Sequence, residues 1–335
     1  MRRLRQALET EKSRLLKLPN VVGVGIGHKS VRGKLLDDLA LVVMVERKLR
    51  PEELEPEAIV PARVGRNLTD VIEVGRILPQ SSRRRGEPFR RQAGASAAPA
   101  VPPQAIGEHR LRARPAVPGT SIGHYAITAG TFGAVVWDRQ TRRPLILSNN
   151  HVLANATSGR DGRAHLGDAV LQPGPYDGGR QGGPRRRAGD AIASLARYIP
   201  LRRRSVNLAD AALASPASDG LISPEILEVG AVRGQGRPRL RLAVKKSGRT
   251  TGLTRGVIRA MHATLSINYP QGLLTFTDQI ICTAMSEGGD SGSLVLDEQN
   301  RAVGLLFAGS DRATVCNPIG YVLGPLKVTL VPPRR

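Results

Sequence analysis

The sequence predicts a mainly β protein, an antiparallel barrel or sandwich that follows a small α+β module. Three observations carry this. Short runs rich in Val, Ile, Leu and Ala recur from about residue 130 onward with Gly-bearing turns between them. The first 78 residues mix one helical leucine pattern with a few strand-like runs. A basic interval rich in Pro and Ala separates the two.

In order along the chain, Leu4, Leu8, Leu15 and Leu18 fall on helical spacing in a charged background, and Pro19 stops the pattern. Strand-like runs follow at Val21 to Ile26 and Leu39 to Val45. A third, Val71 to Val74, comes after a Pro- and Glu-containing stretch around Pro51-Glu52-Glu53-Leu54, so residues 1–78 form one module. Residues 79–116 change character, with Arg83-Arg84-Arg85, Arg90-Arg91, Ala95, Pro99 and Pro102-Pro103. Few apolar anchors there repay the entropy of ordering, which predicts a flexible basic linker. Residues 117–330 carry the β pattern: Gly133 to Trp137, Pro144 to Leu147, Ala169 to Gln172, Ala191 to Tyr198, Asp210 to Leu213, Gly256 to Met261, Gly272 to Phe276, Gln279 to Thr283, Ser293 to Leu296 and Ala302 to Phe307. No internal repeat appears.

At 335 residues the chain has room for two domains with cores of their own. The formal charge of +22 allows weak binding to nucleic acid or another anionic surface. Aromatic residues to stack on bases make up only 3% and no nucleic-acid-binding signature appears, so the charge reads first as a solvated arginine-rich surface. No run approaches the roughly 20 apolar residues of a membrane span. The opening Met1 to Thr10 places charged residues where a signal peptide would have its apolar core. Cys282 and Cys316 are too few for a disulfide framework and read as small buried residues. The expected location is the cytoplasm.

Gly23-Val24-Gly25-Ile26-Gly27-His28-Lys29-Ser30 has neither dinucleotide nor phosphate-loop spacing, so its glycines mark a bulge or a close backbone approach. The six histidines, His28, His109, His124, His151, His165 and His262, show no metal-ligand spacing, and no cofactor is expected. The informative pair is Ser148-Asn149-Asn150-His151-Val152 with Glu287-Gly288-Gly289-Asp290-Ser291-Gly292-Ser293. A serine hydroxyl needs an imidazole to take its proton before it attacks a carbonyl, and here both are present. Glycines around Ser291 let the backbone approach a scissile carbonyl, and the amides of Gly289 and Ser291 can converge on the developing oxyanion. A carboxylate must hold the imidazole tautomer. Asp190 and Asp210 both lie between the two motifs, and Asp210 is preferred.

Ser148-Asn149-Asn150-His151-Val152-Leu153, Asp210-Ala211-Ala212-Leu213 and Gly288-Gly289-Asp290-Ser291-Gly292-Ser293, in the order His, Asp, Ser, resemble the chymotrypsin-like (trypsin-fold) serine peptidases. Lys246-Ser247-Gly248-Arg249-Thr250-Thr251-Gly252-Leu253-Thr254 resembles the turn entering the second barrel of bacterial members. Ala302 to Gly309 resembles the strand along which substrate backbone pairs. The resemblance covers about residues 117–330 and implies two antiparallel β-barrels. It implies a serine endopeptidase acting on protein or peptide substrates through an acyl-enzyme, with Ser291 as nucleophile, His151 as general base then acid, and Asp210 orienting it. Met285, six residues before the nucleophile, would lie at the base of the specificity pocket, with Phe307, Ala308 and Gly309 on one wall and Cys316 on the other. Cleavage after small or medium apolar residues is therefore expected. A catalytically silent peptide-binding module of the same fold is the alternative.

The leading Val21 to Gly27 run, Ser121-Ile122-Gly123-His124-Tyr125 and Gly167 to Gly174 are similar to bacterial relatives of the plant Narrow leaf 1 peptidases, which implies a cytoplasmic or nuclear-type regulatory peptidase able to form homo-oligomers, not a secreted zymogen. Two features depart from digestive enzymes. Glu287 replaces the cysteine four residues before the serine, and no activation site is evident that would release an N-terminus for Asp290 to bind.

Overall fold

The computed structural model describes residues 1–79, 103–182 and 189–332. Most of the expected linker, including Arg83-Arg84-Arg85 and Arg90-Arg91, lies outside the described residues.

The chain opens with α1 (Arg2–Leu15), whose Leu4, Leu8 and Leu15 are buried. They rest on Val24, Ile26, Leu41 and Val43 of the hairpin β1 (Val21–Val31) and β2 (Lys34–Val45), so the leucine spacing does what an amphipathic helix requires. β3 (Arg63–Val64) and β4 (Asn67–Glu73) follow, β4 running parallel to β2, and β5 (Leu78–Pro79) comes last in this part of the chain. α2 (Pro103–Arg110) then leads toward the barrels.

The first barrel uses β6 (Ser121–His124), β7 (Gly130–Thr131), β8 (Ala134–Asp138), β9 (Pro144–Ser148), β10 (Ala169–Leu171), β11 (Ala191–Tyr198) and β12 (Ala212–Pro216), with α3 (Asn150–Leu153) after β9. Pairing runs β8, β9, β12, β11, β10, β6, β7. One extended stretch, residues 130–138, supplies both β7 and β8 and so closes the ring. The second barrel uses β13 (Ala243–Gly248), β14 (Gly252–Tyr269), β15 (Gly272–Thr283), β16 (Leu294–Asp297), β17 (Ala302–Gly309) and β18 (Ala313–Pro318). Here the order is β13, β16, β17, β18, β15, β14, and pairing of β13 with β14 closes it. α4 (Ile319–Leu326) and β19 (Val328–Thr329) return the chain to β8. The architecture is mainly β with two antiparallel barrels.

β14 and β15 extend beyond the barrel, and β1 adds to β14 antiparallel. The glycines of β1 allow this. A Cβ on Gly27 would come within 2.6 Å of the Arg259 carbonyl oxygen, and one on Gly23 within 2.3 Å of Leu265. The motif is a close approach of two backbones. Between the barrels, Leu147 and Leu213 from the first pack with Leu294 and Leu305 from the second and with Ile319 and Val322 of α4. This apolar seam fixes the relative placement of the two halves of the site.

Candidate active site

The His151 segment follows β9 and turns into α3, and each polar side chain before it has a partner. Ser148 Oγ donates to the Thr131 carbonyl at 2.7 Å. Asn149 donates to the Asp210 carbonyl at 2.7 Å, and Asn150 bridges the Thr157 and Ile199 carbonyls at 3.0 and 2.8 Å. These bonds satisfy backbone that the tight turn leaves unpaired, and they hold the imidazole in one place. His151 Nδ1 lies 2.6 Å from Asp210 Oδ2, and the His151 amide donates to Oδ1 at 3.1 Å.

Asp210 is fully buried. Tyr269, from the far end of β14, donates its hydroxyl to Oδ2 at 2.6 Å. The Asp210 amide donates to Asn317 Oδ1 at 3.0 Å, and Asn317 donates in turn to Gln279 Oε1 at 2.7 Å. Burial, then the negative charge and hydrogen bond of Asp210, push the Tyr269 phenol well above its ordinary value, so it stays a donor. Asp190, the other candidate, sits elsewhere. Its carboxylate accepts from Arg112 at 3.0 Å and from the Arg180 amide at 3.0 Å.

Ser291 lies on the loop between β15 and β16, in the second barrel. Gly289 has φ +104°, and a Cβ there would come within 2.3 Å of Thr250 Oγ1, so glycine is required. Thr131 ties this loop to the first barrel. Its amide donates to the Ser291 carbonyl at 2.7 Å and its hydroxyl to the Gly289 carbonyl at 2.9 Å, while the Arg249 amide donates to that hydroxyl at 3.0 Å. Gly130 fits between Val152, the neighbour of His151, and the Ser291 carbonyl. The amides of Asp290, Gly292 and Ser293 are bonded within the protein, whereas those of Gly289 and Ser291 donate to no other described residue. Ser291 Oγ donates to the Phe307 carbonyl at 3.2 Å, and His151 Nε2 has no partner among the described residues.

The carboxylate of Asp290 turns away into the second barrel. It accepts from the amides of Thr250, Thr251 and Glu287 at 2.9, 3.1 and 2.9 Å and from the Thr251 hydroxyl at 2.6 Å. Lys246 Nζ lies 3.3 Å from it, both side chains being fully buried. Burial alone would raise the Asp290 carboxyl, but Lys246 and these bonds hold it below the ordinary carboxylate range. Burial pulls the Lys246 ammonium down, opposed by Asp290. An internal lysine is thus the cation on Asp290. Sequence reasoning assigns no role to Tyr269, Thr131 or Asn317, and it places Lys246 only at the start of the turn motif that enters the second barrel, without a partner.

Met285 and Cys316 are buried together with Ile280, Cys282 and Leu306. Phe307 and Ala308 belong to a neighbouring apolar cluster, in which Phe307 packs on Phe276 with ring centroids 4.7 Å apart. Burial, then Cys282, push the Cys316 thiol well above its ordinary value. Both cysteines are free. Among the described residues no group of His, Cys, Asp and Glu is placed to hold a metal, and no helix is long and apolar enough to cross a membrane.

No protein-family model and no curated protein matches the chain. Among solved structures it is similar to Thermobifida fusca Protease A, at 20% identity and TM-score 0.46, over 65% of this chain and 100% of that one. A glutamic acid specific serine protease that utilizes a histidine triad in substrate binding matches at 18% identity and TM-score 0.44, over 64% and 100%. Cellulomonas bogoriensis chymotrypsin matches at 18% and 0.41, over 65% and 98%. The neighbours are bacterial serine proteases; the two-barrel description itself rests on the strand pairing of this chain.

Proposed function

We propose that the chain is a serine endopeptidase acting on protein or peptide substrates through an acyl-enzyme. The observation that supports this best is the short His151–Asp210 contact, 2.6 Å inside a fully buried network, on the first barrel, with the Ser291 loop tied against it by Thr131. In this reading Ser291 Oγ rotates from the Phe307 carbonyl toward His151. Nε2 takes its proton as Oγ bonds to the scissile carbonyl carbon, and the carbonyl oxygen gains charge beside the amides of Gly289 and Ser291. Asp210 accepts the Nδ1 hydrogen throughout and stabilises the imidazolium. His151 then returns the proton to the leaving amine, and a water repeats the sequence to release the acid.

The apolar residues Met285, Phe307, Ala308 and Cys316, with Gly309, support cleavage after small or medium apolar residues. A buried Lys or Arg side chain would need a carboxylate that none of them supplies. The likeness to Narrow leaf 1 peptidases rests on the glycine-bearing β1 and the two loop motifs quoted above.

A fluorophosphonate probe tests the assignment. It should label Ser291 covalently, with no labelling in Ser291→Ala and strongly reduced labelling in His151→Ala. A label on another serine refutes the nucleophile, and a peptide-library profile dominated by Lys or Arg refutes the pocket. The Ser291 hydroxyl bonded to Phe307 and not to His151 favours a second reading, a peptide-binding module without turnover. A folded protein that binds peptide yet never reacts with the probe would favour it.

A further inference from the structure

One edge of β17 is shared by four partners in turn. Leu305 pairs with Leu294 of β16, and Leu306 exchanges bonds with Ser293 and Gly292 at 3.0 and 2.8 Å. The Phe307 carbonyl accepts from Ser291 Oγ. Ala308 and Gly309 then pair with Pro79 and Leu78 of β5. The opposite edge belongs to β18, where Ala308 meets Val315 and Gly309 meets Thr314. β5 therefore continues the ladder that β16 leaves, and it does so beside the candidate nucleophile. It runs antiparallel, from Gly309 toward Ala308. A peptide in this register presents its next residue at Phe307, where Ser291 Oγ lies.

The hydrogen bonding fits a peptide track. Proline has no amide hydrogen, so Pro79 takes a position of the ladder that needs no donor, and by antiparallel alternation Leu78 is the residue that exchanges bonds with Gly309. The strand is held in place by its own module. Ile77 is buried with Phe276, Phe307 and Val315. Gly75 has φ +65°, and a Cβ there would meet Asp311 at 2.8 Å. Ser310 donates to the Val74 carbonyl, and Arg312 pairs with Glu73 at 2.9 Å. Residues 73–79 are thus stapled to the turn that joins β17 to β18. Ser291 is 0% exposed and His151 only 6%, with its Nε2 shielded from solvent, so both groups are covered in this state.

We propose that β5 is an intramolecular occupant of the substrate track, so that the resting chain is held inhibited by its own N-terminal module. This rests on the peptidase reading above. The ligand class of the track is an extended peptide, bound by backbone pairing to Ala308 and Gly309, with a proline accepted opposite Ala308. A tethered segment acts at an effective concentration of about millimolar, so free substrates compete against a standing occupant.

The test uses the full chain and the variant Leu78→Pro, which removes the one donor β5 offers Gly309 without adding charge to a partly buried site. Losing one such bond is worth roughly 1 kcal/mol, or about fivefold in occupancy. The variant should react with the fluorophosphonate probe, and cleave a fluorogenic peptide, about two- to tenfold faster than the parent. Leu78→Lys should act in the same direction, and a thermal melt shows that each variant is folded. The synthetic peptide Glu-Val-Gly-Arg-Ile-Leu-Pro, corresponding to residues 73–79, should slow Leu78→Pro competitively at millimolar concentration. Equal rates in parent and folded variants, with the peptide inert, overturn the occupant and leave the peptidase standing. No reaction in any of them overturns the peptidase reading and the occupant with it.

Discussion

Each barrel buries one aspartate beside the candidate site, and the two are held in opposite ways. Asp290, in the second barrel, has a permanent cation, Lys246 Nζ at 3.3 Å, in addition to three amides and a hydroxyl. Asp210, in the first, has no such cation: it accepts from the phenol of Tyr269 and the His151 amide and lies against the His151 imidazole, and among the described residues no Lys or Arg pairs with it. A buried carboxylate left uncompensated is costly, so both arrangements stabilise the anion. Their consequences differ. In the proposed mechanism a fixed lysine at Asp210 would cancel the charge that a transient imidazolium needs, whereas at Asp290, which in that mechanism only holds a loop in shape, cancellation does no harm. The pairing also answers how Asp290 is held without a newly released N-terminus: the cation is built into β13.

The largest effect separates the two in function. Asp210→Asn keeps the shape but presents an amide where His151 needs an acceptor, so turnover of a peptide substrate should fall by roughly 10³ to 10⁴ with little change in stability. Asp190→Asn, which disturbs only the contacts with Arg112 and Arg180, should be mild. A peptide-hydrolysis assay giving the reverse ranking would move the orienting role to Asp190.

At Asp290 the effect should appear in stability. Lys246→Met strands a fully buried carboxylate and should cost about 3–5 kcal/mol in urea unfolding. Lys246→Met with Asp290→Asn removes both charges and should recover much of that loss. A double variant as unstable as the single one would show that the charge pair is not what Lys246 contributes. The pH dependence follows the same logic. Asp290 is depressed in the folded state, so the unfolded chain binds more protons in the acid range. Its stabilisation is complete above the ordinary carboxylate range and drains as pH falls through and below it. Unfolding measured from about pH 6 down to about pH 3 should therefore show a shallower loss in the double variant than in the parent.

The difference between the aspartates also marks what the sequence discloses. Strands are legible where apolar runs meet Gly-bearing turns: the run expected at Ala302 to Phe307 is β17, and that at Pro144 to Leu147 is β9. The two runs expected at Gly272 to Phe276 and Gln279 to Thr283 are a single strand, because Asp278 takes φ +60° and the ladder continues across the irregularity. The glycines of β1 announce a close approach but not its partner, since β14 is more than two hundred residues away. In the candidate site, the local motifs around His151 and Ser291 are visible because their turns demand particular residues. Tyr269 and Lys246 are not, because each looks like an ordinary strand residue until the fold brings it to its aspartate, in the case of Tyr269 across 59 positions.

The smallest effect tests the neutral-donor arrangement itself. Tyr269→Phe removes one hydroxyl from Asp210 Oδ2 and keeps the ring that packs on Phe276, 5.8 Å between centroids, so the core should survive. A hydrogen bond to a charged group contributes roughly 1.5–3 kcal/mol, part of which the remaining donors recover, so turnover should fall by about tenfold. A second readout is diagnostic. With one donor fewer, Asp210 holds the His151 ring less firmly, so kcat and the rate of fluorophosphonate labelling should fall together while KM stays close to the parent's. A merely structural role for Tyr269 would instead lower the urea midpoint along with the rate. Tenfold loss accompanied by an equal loss of folding stability would therefore remove Tyr269 from the positioning of Asp210 and reduce it to a packing residue.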